Sequence, residues 1–326
     1  MKKLSVIIIL FFFCQCSKDR SGTDNFEKGN TKLQAGQYRE AIQFYTKAIE
    51  LKPNYADAFF NRGNSYGNLK DYQAAIRDFT KAIKLKPDDA DAFFNRGYCY
   101  LNIKDYQAAI RDNTKAIELK PDYTDAFYNR GYSYRDLKDY QAAIRDFTKA
   151  IELKPDYADA FFNRGYSYLN LKDYHAAIRE NTKAIELKPD YADAFYNRGV
   201  CYRDLKDYQA AIRDYTKAIE VKPDHTMAYN NLGYAYLEKS ILDSTEQSFS
   251  KCLQLDPKHW DSSLGLALLY FQKKDMPNAR KYLSMASTVE PRLKDGMAGI
   301  RKLELENWSY SEKVKRSLSR LFKAVK

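Results

Sequence analysis

Eight of the nine prolines, Pro53, Pro87, Pro121, Pro155, Pro189, Pro223, Pro257 and Pro291, recur at one spacing of 34 residues. A strict period of this length makes each unit one supersecondary element that cannot bury its apolar face alone, so the core must run along a stack of neighbours. Function is then expected on a surface and not in a pocket. Phased to end two residues after each proline, the units are 22–55, 56–89, 90–123, 124–157, 158–191, 192–225, 226–259 and 260–293, with no insertion.

Within the fourth unit, Phe127, Tyr128, Gly131, Tyr134 and Leu137 fall at three- and four-residue spacings, which predicts an amphipathic helix. Lys138-Asp139 then supplies a turn. A second run, Tyr140, Ala143, Ile144, Phe147, Ala150, Ile151 and Leu153, repeats the periodicity until Pro155 stops it, with Asp156 placed to cap the next helix. Gly131, Ala143 and Ala150 are small where the two helices must approach closely.

This pattern resembles the tetratricopeptide repeat (TPR), whose small, aromatic and proline columns match Gly63, Tyr66, Ala75, Phe79, Ala82 and Pro87 of the second unit. The match recurs in register over residues 22–293. The resemblance implies an all-α, right-handed solenoid of eight helical hairpins, roughly one superhelical turn, with first helices lining the concave face and a C-terminal capping helix. The expected division is a signal peptide at 1–15, a polar tether at 16–25, the solenoid at 26–293 and capping helices with a basic tail at 294–326.

Units two to six depart from the family by carrying Arg62, Arg96, Arg130, Arg164 and Arg198 where a large apolar residue is usual. The same five units carry Asp78, Asp112, Asp146, Glu180 and Asp214 on the second helix. In units seven and eight the arginine becomes Leu232 and Leu266 while the acid becomes Ser248 and Tyr282. The columns change together, so an Arg–carboxylate pair is expected to tie each hairpin, since an unpaired buried charge is costly. Asn113 and Asn181 replace the aromatic of Phe79, Phe147 and Tyr215, in an alternation that points to a duplicated two-unit block.

The first residues carry Lys2 and Lys3 and then the apolar run Val6 to Phe13, too short to span a bilayer as a typical helix. Followed by Cys14 and Cys16, the segment resembles a bacterial lipoprotein leader. That reading makes Cys16 the lipidated first residue of the mature chain; Cys14 is the alternative, since Gln15 is not the small residue the motif prefers. An uncleaved anchor is the other explanation of the same run. Either places the repeats outside the cytoplasm in the bacterial cell envelope, attached to a membrane. Cys99, Cys201 and Cys252 occupy columns of small residues, too far apart for a disulfide between Cys99 and Cys201, and the three histidines have no metal-ligand spacing.

The net charge of +11 is mostly an end effect: residues 1–21 carry +3 and residues 294–326 carry +5. A balanced array argues against nucleic acid, which calls for a sustained basic face. In the tail, Val314, Leu318, Leu321, Phe322 and Val325 share one helical face, apt either to cap the last unit or to meet anionic lipid. No nucleotide loop, serine elbow or zinc-protease helix occurs, so neither enzyme activity, cofactor nor metal is expected.

Binding is expected on the concave face. There Asn61, Asn95, Asn129, Asn163, Asn197 and Asn231 form one column beside aromatics that include Tyr128 and Tyr196, with Tyr98, Tyr132, Tyr166 and Tyr234 one turn on. Amides pair with a peptide backbone as both donor and acceptor, and rigid aromatics give contact area at low entropic cost, so the combination suits an extended peptide of a protein partner. The aromatics have a second explanation, packing between first helices, and cell-wall glycan binding or a passive spacer role are the alternatives to an adaptor.

Overall fold

A computed structural model describes residues 20–304 and 310–325, which fall into two compact units divided between Asp156 and Tyr157. All regular structure among the described residues is helical. The first unit holds four hairpins: α1 (20–34) with α2 (Tyr38–Leu51), α3 (Ala56–Asn68) with α4 (Tyr72–Leu85), α5 (Ala90–Asn102) with α6 (Tyr106–Leu119), and α7 (Thr124–Asp136) with α8 (Tyr140–Leu153). The second holds α9 (Ala158–Asn170) with α10 (Tyr174–Leu187), α11 (Ala192–Asp204) with α12 (Tyr208–Val221), α13 (Thr226–Lys239) with α14 (Leu242–Leu255), and α15 (Trp260–Gln272) with α16 (Met276–Val289). A 3-10 turn (Pro291–Asp295), α17 (Met297–Glu304) and α18 (Glu312–Val325) complete it.

The turn inside each hairpin is built from two adjacent residues. Lys70, Lys104, Lys138, Lys172 and Lys206 adopt φ of 61–64°, the left-handed region that ends a helix, where the first hairpin has Gly36 at φ 70°. The next aspartate caps the second helix; Asp139 Oδ1, for instance, accepts from the Ala142 amide at 3.0 Å. The cap expected from Asp156 does not form: the N-cap of α9 is Tyr157, which makes no side-chain cap bond. At Asp89 the N-cap position does hold an acid, and its carboxylate accepts from the Ala92 amide at 3.0 Å.

Close helix approach explains the small residues. A Cβ at Gly131 would lie 3.0 Å from the Phe147 ring, and Ala143 and Ala150 are fully buried. The Arg–carboxylate tie is present in all five hairpins. Arg130 Nε and Nη2 meet the two oxygens of Asp146 at 2.8 Å each, and Arg62–Asp78, Arg96–Asp112 and Arg198–Asp214 are bidentate in the same way. Arg164 Nε and Nη2 both donate to one oxygen of Glu180. In four hairpins the third guanidinium nitrogen reaches back to a threonine of the preceding hairpin within its unit, as Arg62 to Thr46, Arg96 to Thr80, Arg130 to Thr114 and Arg198 to Thr182, so the tie also joins neighbours. Asn113 and Asn181 are fully buried; each amide donates to its own helix, to Ala109 and Ala177 carbonyls at 2.8 Å, and each Oδ1 is left without a partner.

Candidate functional site

The first helices carry the columns singled out from the sequence, and burial sorts them. In the first unit Asn61 and Asn95 are half-buried and Asn129 is buried. Asn61 Nδ2 donates to Asn30 Oδ1 at 2.9 Å, the same oxygen that accepts the Tyr45 hydroxyl at 2.9 Å. In the second unit Asn163, Asn197 and Asn231 are all buried. Asn163 donates to the Asp159 carbonyl at 2.7 Å, Asn231 donates to the Tyr196 hydroxyl at 3.1 Å, and Asn197 Nδ2 has no partner. The asparagine column is therefore mostly buried, and Asn61, Asn163 and Asn231 spend an amide donor inside the fold. Only Asn61 and Asn95 keep open surface.

The aromatics beside them pack. Tyr128 tilts against Phe147 with centroids 5.8 Å apart, and Tyr196 lies 5.9 Å from Tyr215 and 4.8 Å from His225. Where the second helix has asparagine, the ring still meets the loop before the next hairpin: Phe94 meets Tyr123 at 4.7 Å and Phe162 meets Tyr191 at 4.8 Å. Those loop tyrosines also hold the acids at the second position of the first helices, Tyr123 donating to Asp91 at 2.7 Å and Tyr191 to Asp159 at 2.8 Å. His225 stands in that place for Asp193 and holds its carboxyl below the ordinary range.

The tyrosine column divides more sharply. Tyr98 is 46% exposed. Tyr132 and Tyr166 are half-buried, and the Arg135 guanidinium stacks 3.8 Å from the Tyr132 ring centre while pairing with Asp136 at 2.6 Å. Tyr234 departs from the expectation of an open contact residue: it is buried because the chain's own tail covers it. Its hydroxyl and that of Tyr310 both donate to Asp261 Oδ1, at 2.8 and 2.6 Å, and Asn230 Nδ2 donates to Oδ2 at 2.9 Å. Ser311 donates to Glu238, and Lys313 Nζ caps the end of α13 on the Glu238 carbonyl at 2.6 Å.

Beyond that polar contact, α18 lays Val314, Leu318, Leu321 and Phe322 into one core with Leu264 and Leu268 of α15. At about 1.5–3 kcal/mol for each side chain buried, this outweighs any single hydrogen bond in the seat. The face that would have met lipid is thus spent inside the fold, while Arg316, Arg320 and Lys323 stay exposed. Among the described residues no helix is long and apolar enough to cross a membrane. Cys16, Cys14 and the apolar leader lie outside the described residues.

Two hollows open on first helices of the first unit. One, about 340 Å³, lies between α1 and α3 over Glu27, Asn30 and Asn61. The other, about 280 Å³, lies between α3 and α5 beside Tyr98 and Asn95, where Asn64 and Gly67 are smaller than their counterparts in later hairpins. That second hollow was readable in outline, since Gly67 stands where the next four units have Leu101, Arg135, Leu169 and Arg203. The pairing of Arg135 and Arg203 with the following aspartate was not read from the sequence.

Models of the tetratricopeptide repeat match residues 56–89, 90–123, 124–157 and 192–225, and further models of the same repeat match 29–70, 147–179 and 228–259. No curated protein matches in sequence. Among solved structures, YrrB, described as a TPR protein with an unusual peptide-binding site, shares 29% identity with a TM-score of 0.51, covering 56% of this chain and 95% of its own. MamA shares 27% with a TM-score of 0.50, covering 53% and 94%. The C-terminal part of a TPR repeat-containing protein from Cytophaga hutchinsonii, at 21% identity, shares the fold with a TM-score of 0.62 over 74% of this chain and 99% of that one.

Proposed function

Because the chain belongs to the tetratricopeptide repeat family, we propose that it is a non-enzymatic scaffold binding a partner protein, through a peptide segment, on the first-helix face of its hairpins. The proposal extends to a lipid anchor on Cys16 that would hold this scaffold at a membrane of the bacterial envelope, within an assembly or secretion complex. The observation that carries the binding reading is Tyr98: a large aromatic, 46% exposed on a first helix, beside the half-open amide of Asn95. An aromatic with a polar tip left open to water is the kind of residue that dominates binding energy once covered. Support from likeness is that YrrB, which shares this fold at 29% identity, is a peptide-binding TPR protein.

The test is affinity capture with in-cell crosslinking, comparing the native protein with a variant in which Asn95, Tyr98, Asn129 and Tyr132 are all alanine. Loss of one specific protein from a folded variant is the expected result. Equal recovery by both moves binding off this face. Incorporation of a labelled fatty acid, abolished by Cys16→Ser, tests the anchor separately; label retained in that variant and lost from Cys14→Ser reassigns the site.

A further inference from the structure

We infer that the ligand is anchored by one aromatic side chain, inserted between α3 and α5 in the hollow that Gly67 opens, with its peptide group held by Asn64 and Asn95. This rests on the groove reading above and names the part of the ligand that the groove selects.

The hollow exists because the second hairpin breaks the pattern of those after it. Asn64 replaces the tyrosine found at 98, 132 and 166, and Gly67 replaces the leucine or arginine at 101, 135, 169 and 203. A Cβ built on Gly67 meets nothing within 4 Å, so the glycine serves no close helix contact, unlike Gly63 on the same helix, whose Cβ would lie 2.9 Å from Phe79. What the missing side chains leave is about 280 Å³ with Phe79 and Cys99 at its floor and Tyr98 as a wall. That is just below the span of pockets that take whole small molecules, roughly 300–1,000 Å³, and fits one large side chain with its own peptide unit. Asn64, Asn95 and Tyr98 direct their side-chain polar groups to no other described residue, so their hydrogen-bonding capacity is available at the mouth. An apolar floor with a few convergent polar groups is the arrangement of an anchor pocket.

The aromatic class comes from the chain itself. In the second unit a segment already occupies first helices: Tyr310 sits against Tyr234, ring centres 5.7 Å apart. Tyr234 is the counterpart of Tyr98 in the repeat. The column therefore accepts a ring where a segment is seated on it, and Tyr98 is left 46% exposed among the described residues. Tilted and offset ring pairs of this kind add stabilisation beyond buried area, which an aliphatic anchor would not gain.

The experiment uses the full-length protein, panned against a phage-displayed library of random dodecapeptides. It is compared with Gly67→Leu, Gly67→Ala and a variant with Asn129 and Tyr132 both changed to alanine. Gly67→Leu restores the residue of the third and fifth hairpins and replaces a poor helix former, so it should melt no lower than the native protein while filling the hollow. The expected result is enrichment of peptides with Phe, Tyr or Trp at one position, bound at least tenfold more weakly by Gly67→Leu and within twofold of native by Gly67→Ala. Peptides that ignore Gly67→Leu but fail on the Asn129/Tyr132 variant overturn the anchor pocket and leave the groove reading standing. Peptides indifferent to all the variants, or no enrichment at all, overturn both. Enrichment with aliphatic or charged residues at the sensitive position overturns the aromatic class, as does Gly67→Leu-sensitive binding of a hexose oligosaccharide in place of peptide.

Discussion

Removing half of one Arg–carboxylate tie should cost far more than removing all of it. Arg130 and Asp146 meet through two bonds of 2.8 Å, with side chains 17% and 8% exposed. Burial pushes the Asp146 carboxyl up against the pull of Arg130, so the carboxylate depends on its partner to stay charged. Breaking a fully buried pair by deleting one member costs roughly 3–5 kcal/mol, and the one-sixth exposure of Arg130 lets water recover part of that. Asp146→Ser or Arg130→Leu alone should therefore destabilise by about 2–4 kcal/mol. The double change reproduces the seventh hairpin, where Leu232 is buried and the Ser248 hydroxyl donates to the Ser244 carbonyl at 2.7 Å. It should fall within about 1 kcal/mol of the native protein, since apolar replacements of buried pairs are often neutral. Repeat arrays open segment by segment, so the readout is native-state hydrogen exchange over residues 124–153, supported by melting curves. Single variants that add up to the double variant, or singles costing under about 0.5 kcal/mol, would refute the coupling argued here.

Asn113→Phe should stabilise by about 1–3 kcal/mol, read from urea unfolding, because it removes an unpaired buried oxygen and restores the ring that Phe79 and Phe147 supply in neighbouring hairpins. A loss of stability would mean that the third hairpin cannot seat the ring. Burial pushes the thiols of Cys99 and Cys201 to about 12 and that of Cys252 to about 11, so iodoacetamide at pH 8 should label none of them in the native protein and all three in urea. Native labelling at the unfolded rate would contradict their placement. Tyr234 and Tyr310 are held well above 10 by burial first and by Asp261 next. A raised folded value means the seat of the tail is fully stable below about pH 10, where unfolded tyrosine titrates, and loses stability as pH rises beyond it. Hydrogen exchange at residues 312–325 should speed up from about pH 10 in the native protein and less steeply in Tyr310→Phe; protection unchanged at about pH 11.5 would count against it.

What the sequence disclosed follows from how local each feature is. The hairpins were legible from period alone, and the Arg–acid tie from two columns that change together at Leu232 and Ser248. Helix caps were less so: Asp139 and Asp156 both precede a helix, yet only the first becomes the N-cap, because the loop after Pro155 runs one residue further and gives that place to Tyr157. The asparagine column looked like a ligand ladder because side-chain type does not reveal depth. Asn95 and Asn163 are equivalent in sequence, but one is half-open and the other spends its amide on the Asp159 carbonyl. Nor could Tyr234 be told from Tyr98 without the tail, since Tyr310, which covers it, is far along the chain.

Near-identity of the repeats makes their exceptions the informative residues. Where a hairpin repeats its neighbour, the Arg–acid tie, the lysine turn and the aspartate cap recur, and these account for the fold. The open surface depends on residues that break the pattern: Asn64 and Gly67 leave a hollow, while Leu264 and Leu268 turn the eighth hairpin into a seat for α18. Filling that seat internally covers Tyr234 of the seventh hairpin and Leu264 and Leu268 of the eighth. The second hairpin has smaller side chains at Asn64 and Gly67, and among the described residues no segment replaces them. A vacancy bordered by an exposed tyrosine and unpaired amides gives up packing energy that a single hydrophobic residue would restore, and a bound anchor side chain would recover it from the partner.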